Sequence, residues 1–161
     1  MAVAYLSLGS NLGDREENLS RAQQVAEGDF FKVRASTVYE TEPVDLLDQP
    51  WFLNQVLEVE TGMEPEGLLN WIRALETLMG RQRDIPKGPR TLDVDILLYD
   101  DRVVRGEDLV LPHPRLVFRR HVLVPLCELA GDRRLPGDSR TFREILGAVK
   151  DFSQVRRHAS T

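Results

Sequence analysis

The chain has 161 residues, of which 42% are apolar and 29% charged, and its formal net charge is -5. This length suits one ordinary domain with a core of its own, and the negative charge argues against nucleic acid or an anionic membrane as the main partner. No apolar run approaches the length of a membrane span, the start lacks the basic segment of a signal peptide, and the one cysteine cannot form an intrachain disulfide. We therefore expect one domain over residues 1–161, cytoplasmic and monomeric.

The first part of the chain alternates predicted strands and helices. The pattern predicts strands over residues 3–9, 33–39 and 51–61, a helix from a capping motif at Asp14 to about Gly28, a helix with Pro65 in its first turn, and a strand within residues 88–101. The order β-α-β-β-α-β is typical of an α+β, ferredoxin-like core, in which both helices cover one face of an antiparallel sheet.

The second part predicts additions to that core. RVVRGEDLVLP indicates a short hairpin, HVLVPLCELA a third helix and TFREILGAVK a final helix. The terminal RRHAST is expected to be frayed. The full expectation is therefore a ferredoxin-like core followed by a C-terminal hairpin and helices.

An acidic pair interrupts the predicted strand GPRTLDVDILLYDD. Asp93 and Asp95 are set among apolar residues. Side chains at i and i+2 of a strand share a face, so their Cα atoms would lie ~7 Å apart. A bare DxD is most often a solvated strand face. However, adjacent carboxylates repel unless a cation or donors lie between them, and Mg²⁺ is commonly held by one or two carboxylates plus substrate phosphates.

Basic residues surround the acidic pair in this otherwise acidic chain: Arg81, Arg83, Lys87 and Arg90 precede it, and Arg115, Arg119 and Arg120 follow. A charged loop usually means solvation only, but arginine forks bind phosphate oxygens in bidentate fashion. Together with the carboxylates they indicate a site for a Mg²⁺–polyphosphate. Glu76, at the margin of an apolar helical stripe, and His113, between two prolines, are each either structural or part of that site.

These motifs together resemble the 6-hydroxymethyl-7,8-dihydropterin pyrophosphokinases of folate biosynthesis. GPRTLDVDILLYDD is similar to the family's signature, and VAYLSLGSNLGD, TEP, DQPWFLNQV, GRQR and LPHPR follow the family's order over residues 3 to about 146. The resemblance implies that ATP transfers its β,γ-pyrophosphoryl group directly to the hydroxymethyl oxygen of the pterin, leaving AMP and the pterin diphosphate.

The resemblance also implies roles for individual residues. Asp93 and Asp95 would hold two Mg²⁺ ions and act in catalysis together with Arg81 and Arg90. The rest of the ATP site would comprise Arg73, Glu76, Arg83, Ile96, His113 and Arg119. The pterin pocket would comprise Thr41, Pro43, Val44, Phe52, Asn54 and His121, with Phe52 stacking on the ring and Asn54 hydrogen-bonding its edge.

Some positions depart from the family pattern. Lys87 stands where the best-known members carry a tryptophan that covers the active site, and the loop before Arg90 is one residue shorter. His121 replaces the second aromatic residue of the pterin sandwich; imidazole can still stack, but it buries less apolar area. Arg73 stands where a glutamine is familiar, and Pro114 where a tyrosine is.

Two other classes of function compete with this interpretation. A DxD glycosyltransferase would use a metal–nucleotide-sugar, but it should carry a larger nucleotide-binding domain. A ferredoxin-like regulatory or RNA-binding module should show aromatic residues within a basic segment of its sheet, where this chain has two aspartates. Metal-dependent conversion of ATP to AMP would distinguish the pyrophosphokinase from both.

Overall fold

The computed structural model describes residues 1–80 and 89–158. Its strands are β1 (Ala2–Ser10), β2 (Lys32–Ala35), β3 (Tyr39–Thr41), β4 (Phe52–Thr61), β5 (Asp93–Tyr99), β6 (Val104–Arg105), β7 (Val110–Leu111) and β8 (Val155–Arg157). Its helices are α1 (Arg15–Asp29), α2 (Pro65–Leu78), α3 (Arg120–Ala130) and α4 (Phe142–Ala148), with a 3-10 turn at Leu116–Phe118. Within the described part, no helix is long and apolar enough to cross a membrane.

The main sheet is antiparallel and has six strands. Its order is β5-β1-β4-β3-β8, with β2 also paired to β4. Strands β6 and β7 form the predicted hairpin. The sheet is covered on both faces. One core lies between the sheet and helices α1 and α2, and a second lies between the sheet and helices α3 and α4.

The prediction of one continuous strand over residues 33–39 is wrong. The structure divides it into β2 and β3, because residues 36–38 lie opposite only two residues of β4 and form a bulge. Buried Ser36 bridges the break. Its N–H donates to the Val56 carbonyl, and its hydroxyl accepts from the Val56 N–H. At this point the Ser36 hydroxyl accepts the hydrogen bond that a main-chain carbonyl would accept in a regular strand pair. The alternation of apolar and polar residues in the sequence therefore did not show that the strand is divided in two.

The expectation of a frayed C-terminus is also wrong for residues 156–158. Arg156 and Arg157 belong to β8, which extends the sheet beyond β3, and the His158 N–H donates to the Val38 carbonyl. The three residues of β8 include two arginines, so the sequence alone gives only a weak indication of a strand there. The strand forms because the free edge of β3 supplies its hydrogen-bond partners. Residues 159–161 lie outside the described part.

The face on which the acidic pair lies follows from the register of β5. Val94 and Ile96 are buried toward α1 and α2, whereas Asp93 and Asp95 point to the opposite face, toward Leu97. The pairing of β1 with β5 shifts by one residue at Tyr5, so Leu97 and Leu98 both enter the second core. The two carboxylates therefore stand at the open end of that core, before the apolar packing begins.

Candidate active site

A cleft opens at this end of the second core and encloses about 740 Å³, including its solvent-open part. The sheet forms its floor, the segment after β3 forms one wall, and the segment leading into α3 forms the other. Most of the predicted site residues lie in it: Thr41, Pro43, Val44, Phe52, Asn54, Arg90, Asp93, Asp95, His113, Arg119 and His121.

The acidic pair lies side by side in the cleft, as the strand periodicity predicted. Asp93 Oδ2 accepts a hydrogen bond from Arg90 Nη1 at 3.0 Å. The side chain of Asp95 is 52% exposed, compared with 25% for Asp93. One carboxylate is therefore held by a local guanidinium, while the other projects further toward solvent.

Asn11, which sequence reasoning missed, holds Arg90 in place. The Arg90 N–H donates to Asn11 Oδ1 at 2.7 Å, and the N–H groups of Asn11 and Leu12 donate to the Arg90 carbonyl. Asn11 Nδ2 in turn donates to Gln49 Oε1 and to the Pro50 carbonyl. Asn11 is only 2% exposed. The turn after β1 therefore joins the acidic strand to the loop before β4; the sequence signal, SNLGD, indicated only a turn.

His113 lies beside Asp95 with a defined tautomer. The Arg115 N–H donates to His113 Nδ1 at 3.1 Å, so the proton of the neutral ring is on Nε2, which lies 3.9 Å from Asp95 Oδ1. Burial lowers the pKa of His113, the charges of Arg119 and Arg115 lower it further, and Asp93 opposes them. Near neutral pH the ring is therefore an uncharged donor that points into the cleft.

The far end of the cleft is a small polar recess on the sheet. Asn54 Nδ2 donates to Thr41 Oγ1, and both side chains are buried. The recess depends on Gly9, which pairs with Asn54 across β1 and β4. A Cβ at Gly9 would lie 2.8 Å from Asn54 Oδ1 and 3.5 Å from a Phe52 ring carbon. Glycine therefore leaves the space that the amide and the ring occupy.

His121, the second residue of α3, lines this end of the cleft together with Phe52. Its Nδ1 is buried, and within the described part of the chain it has no hydrogen-bond partner. Burial lowers the pKa of His121 to about 4, the charge of Arg119 adds to this, and Asp151, Asp45 and Asp93 oppose it. The ring is therefore neutral over the physiological range.

An ion pair joins the two walls of the cleft. Arg119 Nη2 lies 3.3 Å from Asp45 Oδ2. Asp45, Glu42, Gln49 and Arg115 also line the cleft and were not among the predicted site residues. An acidic loop usually indicates only solvation, so nothing in the sequence distinguished Asp45 from its neighbours.

Three predicted ATP-site residues lie away from the cleft lining. Arg73 lines a second cleft, between α2 and the β6–β7 hairpin. Buried Glu76 accepts a hydrogen bond from the Val94 N–H at 2.9 Å through Oε2. The Ile96 side chain is buried in the first core, so only its main chain, on the terminal strand of the sheet, is available to a ligand. Arg81, Arg83 and Lys87 lie outside the described residues.

The donor atoms in the cleft suit Mg²⁺ held jointly with a substrate. In residues 1–80 and 89–158 there is no group of three or more His, Cys, Asp or Glu side chains that could hold a metal alone. Asp93 and Asp95 supply hard carboxylate oxygens on one rigid strand face. Such a pair is what Mg²⁺ uses when phosphate oxygens and water complete its octahedron. The carboxylates fit this ion, with a polyphosphate as the remaining ligand.

The sequence as a whole decides the family. A model of the family described as 7,8-dihydro-6-hydroxymethylpterin-pyrophosphokinase (HPPK) matches residues 5–131. The chain belongs to this family. Residues 5–131 include the floor of the cleft and both of its walls, so the match covers the site described above.

Relatives across bacteria and fungi carry related names. A 2-amino-4-hydroxy-6-hydroxymethyldihydropteridine pyrophosphokinase of Bacillus subtilis is 44% identical over 131 residues, which is 79% of this chain and 77% of the relative. One of Methylorubrum extorquens is 41% identical and aligns over 98% of this chain and 99% of the relative. The folic acid synthesis protein fol1 of Pneumocystis carinii is 41% identical over 81% of this chain but only 18% of its own length.

Solved structures share the fold. An HPPK-DHPS in complex with substrates matches with a TM-score of 0.75 at 14% identity, over 91% of this chain. The wild-type Plasmodium falciparum HPPK-DHPS with SDX-DHP matches with a TM-score of 0.72 at 16% identity. This chain spans 43% of the length of each. At this level of identity the likeness establishes a common fold, an antiparallel sheet with helices.

Proposed function

We propose that this chain transfers pyrophosphate from ATP to 6-hydroxymethyl-7,8-dihydropterin, giving AMP and the pterin diphosphate in folate biosynthesis. The observation that carries the proposal is the cleft itself. A paired carboxylate with an arginine lies at one end, and a polar recess with an aromatic wall lies at the other. The reaction is the one in the names of the family and of the bacterial relatives.

The recess is the proposed pterin subsite. A flat heterocycle binds best between an apolar ring face and a few fixed polar groups. Phe52 and His121 supply the two faces, and the hydrogen bond between Asn54 and Thr41 holds the Asn54 amide in one orientation. Pro43 and Val44 also line the cleft, on the wall that follows β3. Because His121 is neutral, it can lie against the pterin without a charge that would need solvation.

The carboxylate end is the proposed site of the ATP phosphates. Asp93 and Asp95 would hold Mg²⁺ there together with a substrate phosphate, and the ion would supply charge neutralisation of the polyphosphate; two ions are proposed from the family resemblance. Arg90 lies within reach of the same space and is held by Asn11. Arg81 and Arg83 are proposed to bind phosphate from the segment outside the described residues.

The chemistry that these residues supply is positioning and charge stabilisation. Pyrophosphoryl transfer needs little covalent help, because the charge that develops lies on phosphate oxygens that donors can hold in line. Arg90 offers guanidinium donors, and His113 offers its Nε2–H beside Asp95. Arg119, which pairs with Asp45, closes the wall next to His121. The incoming hydroxymethyl group would be presented from the recess toward these donors, with water excluded from between them.

The nucleotide base is proposed to lie along the edge of β5. The main chain of Ile96 is on the sheet's terminal strand, and Glu76 is bonded to the neighbouring Val94 N–H. Arg73, in the adjoining second cleft, would approach the base from α2.

The core is proposed to be ferredoxin-like. The strand order β5-β1-β4-β2 and the placement of α1 and α2 against one face support this topology. Strands β3 and β8, helices α3 and α4, and the hairpin are additions that build the cleft. The monomeric state, the cytoplasmic location and the single domain over residues 1–161 stay predictions.

The test is ³¹P NMR of the purified protein with MgATP and 6-hydroxymethyl-7,8-dihydropterin. We expect AMP and a new diphosphate ester, both lost when EDTA is added or the pterin is omitted. ADP in place of AMP would identify an ordinary kinase and contradict the proposal. Binding of RNA, or turnover of a sugar nucleotide, with no pterin-dependent signal would favour one of the alternative functions.

A further inference from the structure

The last described residues form a segment whose strand extends the sheet beyond β3; we call residues 151–158 the C-terminal strap. Its strand β8 pairs with β3 in a register that sets Val155 opposite Thr41 and Arg156 opposite Glu40. The contact continues past the strand, where the Glu42 N–H donates to the Gln154 carbonyl and the Gln154 N–H donates to Glu42 Oε1. The strap therefore holds the chain at the start of the first cleft wall.

Arg156 fastens the strap to the base of that wall. Its guanidinium donates to Glu40 Oε1 through two nitrogens and lies 4.8 Å from the centre of the Trp51 ring. Glu40 is also bound by Arg15, which donates to the Trp51 carbonyl. The hydrogen bond from Arg156 lowers the pKa of Glu40, against the effect of burial, and Arg15 adds to the lowering. Glu40 is thus charged and doubly held one residue before Thr41.

The other end of the strap holds the second wall. Asp151 Oδ2 accepts from the Arg120 N–H at 2.9 Å, and Arg120 Nη1 donates to the Ser153 carbonyl at 3.3 Å. Helix α3 has no capping hydrogen bond from the side chain of its own N-cap residue, Arg119. Asp151 therefore satisfies an N–H at the first turn of the helix that carries His121.

The strap thus touches both walls of the cleft without being part of its lining. One wall carries Thr41 and the other carries His121, and the strap joins Glu40 and Glu42 on the first to Arg120 on the second. Among the described residues, the partly exposed ion pair of Arg119 with Asp45 also joins the walls, and pairs of this kind contribute little on their own.

We propose that the C-terminal strap is a positioning element that sets the distance between the two walls of the pterin subsite. The proposal rests on the proposed function for the identity of the ligand. It predicts an asymmetric effect. Loosening the strap weakens binding of the pterin, which lies between the walls, more than binding of ATP. Arg119 adjoins the strap's contact at Arg120, but β5 and Arg90 are held by β1 and Asn11.

The experiment compares the double variant Asp151→Ala/Arg156→Ala with Phe152→Ala as a matched control. Phe152 lies in the same segment and is 87% exposed. For the double variant we expect KM for the pterin to rise about tenfold, the change that ~1.4 kcal/mol produces, with KM for ATP and kcat within about twofold. The control should match the unmodified protein. The variant Asp151→Ala/Arg156→Lys, which keeps a positive charge at position 156, should recover part of the pterin affinity that Asp151→Ala/Arg156→Ala loses.

Hydrogen exchange tests the strap independently of activity. In the double variant, amides of residues 41–45 and 119–122 should exchange faster, while those of α2 stay unchanged. A variant that loses stability yet keeps both KM values, or one in which both KM values rise equally, would overturn the proposal. Unchanged exchange at both walls would also overturn it. If the unmodified protein makes no AMP, the proposed function fails, and the exchange result still decides whether the strap holds the walls.

Discussion

The two ends of the cleft are built in different ways. At the carboxylate end, Arg90, Asp93 and Asp95 come from one continuous segment, and the shared face of the two aspartates follows from the period of a strand. At the pterin end, Gly9, Thr41, Asn54 and His121 come from four separate segments that meet only in the folded chain. The end proposed to perform the chemistry is therefore built on one local segment, and the end proposed to select the pterin is assembled over long range.

The largest expected effect is loss of the exposed carboxylate. Asp95→Ala should lower turnover by at least about 10³-fold, because it removes one of the two carboxylates proposed to hold the Mg²⁺ that neutralises the reacting phosphates. Stability should hardly change, since this side chain is half exposed at the cleft. Steady-state AMP formation and thermal unfolding are the measurements.

The matched control for this variant is Asp101→Ala. Asp101 lies in the same sequence motif, but its side chain is 89% exposed and pairs at 3.5 Å with Arg133. It should retain nearly full activity. An Asp95→Ala protein that remained active and dependent on metal would remove this carboxylate from the site.

A change at Asn11 tests whether the carboxylate end of the cleft depends on one residue that is distant in sequence. Asn11→Ala should lower kcat/KM about 100-fold and stability by roughly 2 kcal/mol, because the Arg90 N–H loses its acceptor and the loop before β4 loses its donor. Kinetics and denaturant unfolding measure the two effects. Asn18→Ala is the control, since Asn18 holds the same turn through Ser10 and Leu12 without touching Arg90. Equal losses in both variants would mean that the turn alone matters.

A change at Gly9 tests the pterin end by itself. Gly9→Ala places a Cβ 2.8 Å from Asn54 Oδ1, so the amide must move. KM for the pterin should rise roughly tenfold with little change in KM for ATP. Steady-state kinetics with each substrate varied in turn measures the two KM values. Gly62→Ala, where the nearest atom would be 3.8 Å away, should be close to neutral. Equal weakening of ATP binding would show that the two ends are not separable.

His121 should give the stability of the folded protein a dependence on pH. The folded pKa of about 4 lies below the ordinary value of 6.5, so the unfolded chain binds the proton more tightly. The stability that neutral His121 contributes is therefore complete above pH 6.5, and it is lost as the pH falls toward 4. The loss is at most roughly 3 kcal/mol.

His121→Phe tests this dependence, because phenylalanine cannot titrate. Urea unfolding between pH 7 and pH 4 should show a shallower loss of stability in the variant than in the unmodified protein. Some dependence should remain, because burial also lowers the pKa of His113. Identical pH profiles for the two proteins would mean that His121 is not held neutral by its surroundings.

Much of this architecture could be predicted from short patterns. The alternation of β4, the position of Pro65 at the start of α2 and the shared face of the two aspartates all follow from local periodicity. The errors came where a distant segment changed the outcome. The bulge at Ser36 depends on Val56, and β8 depends on the edge of β3. Arg73, assigned to the ATP site by the family resemblance, lines a neighbouring groove, and its role stays a prediction.

The sequence by itself determined the family, through the motifs that resemble it, and the shared face of the two aspartates, because the side-chain period of a strand needs no knowledge of the rest of the chain. The tertiary structure alone decided how that strand is held and what faces it. The link between Asn11 and Arg90 joins residues 79 positions apart, and the bond from Glu42 to Gln154 spans 112 positions. Hydrogen bonds between such residues exist only after the sheet brings them together, and no local pattern encodes the distance at which they meet.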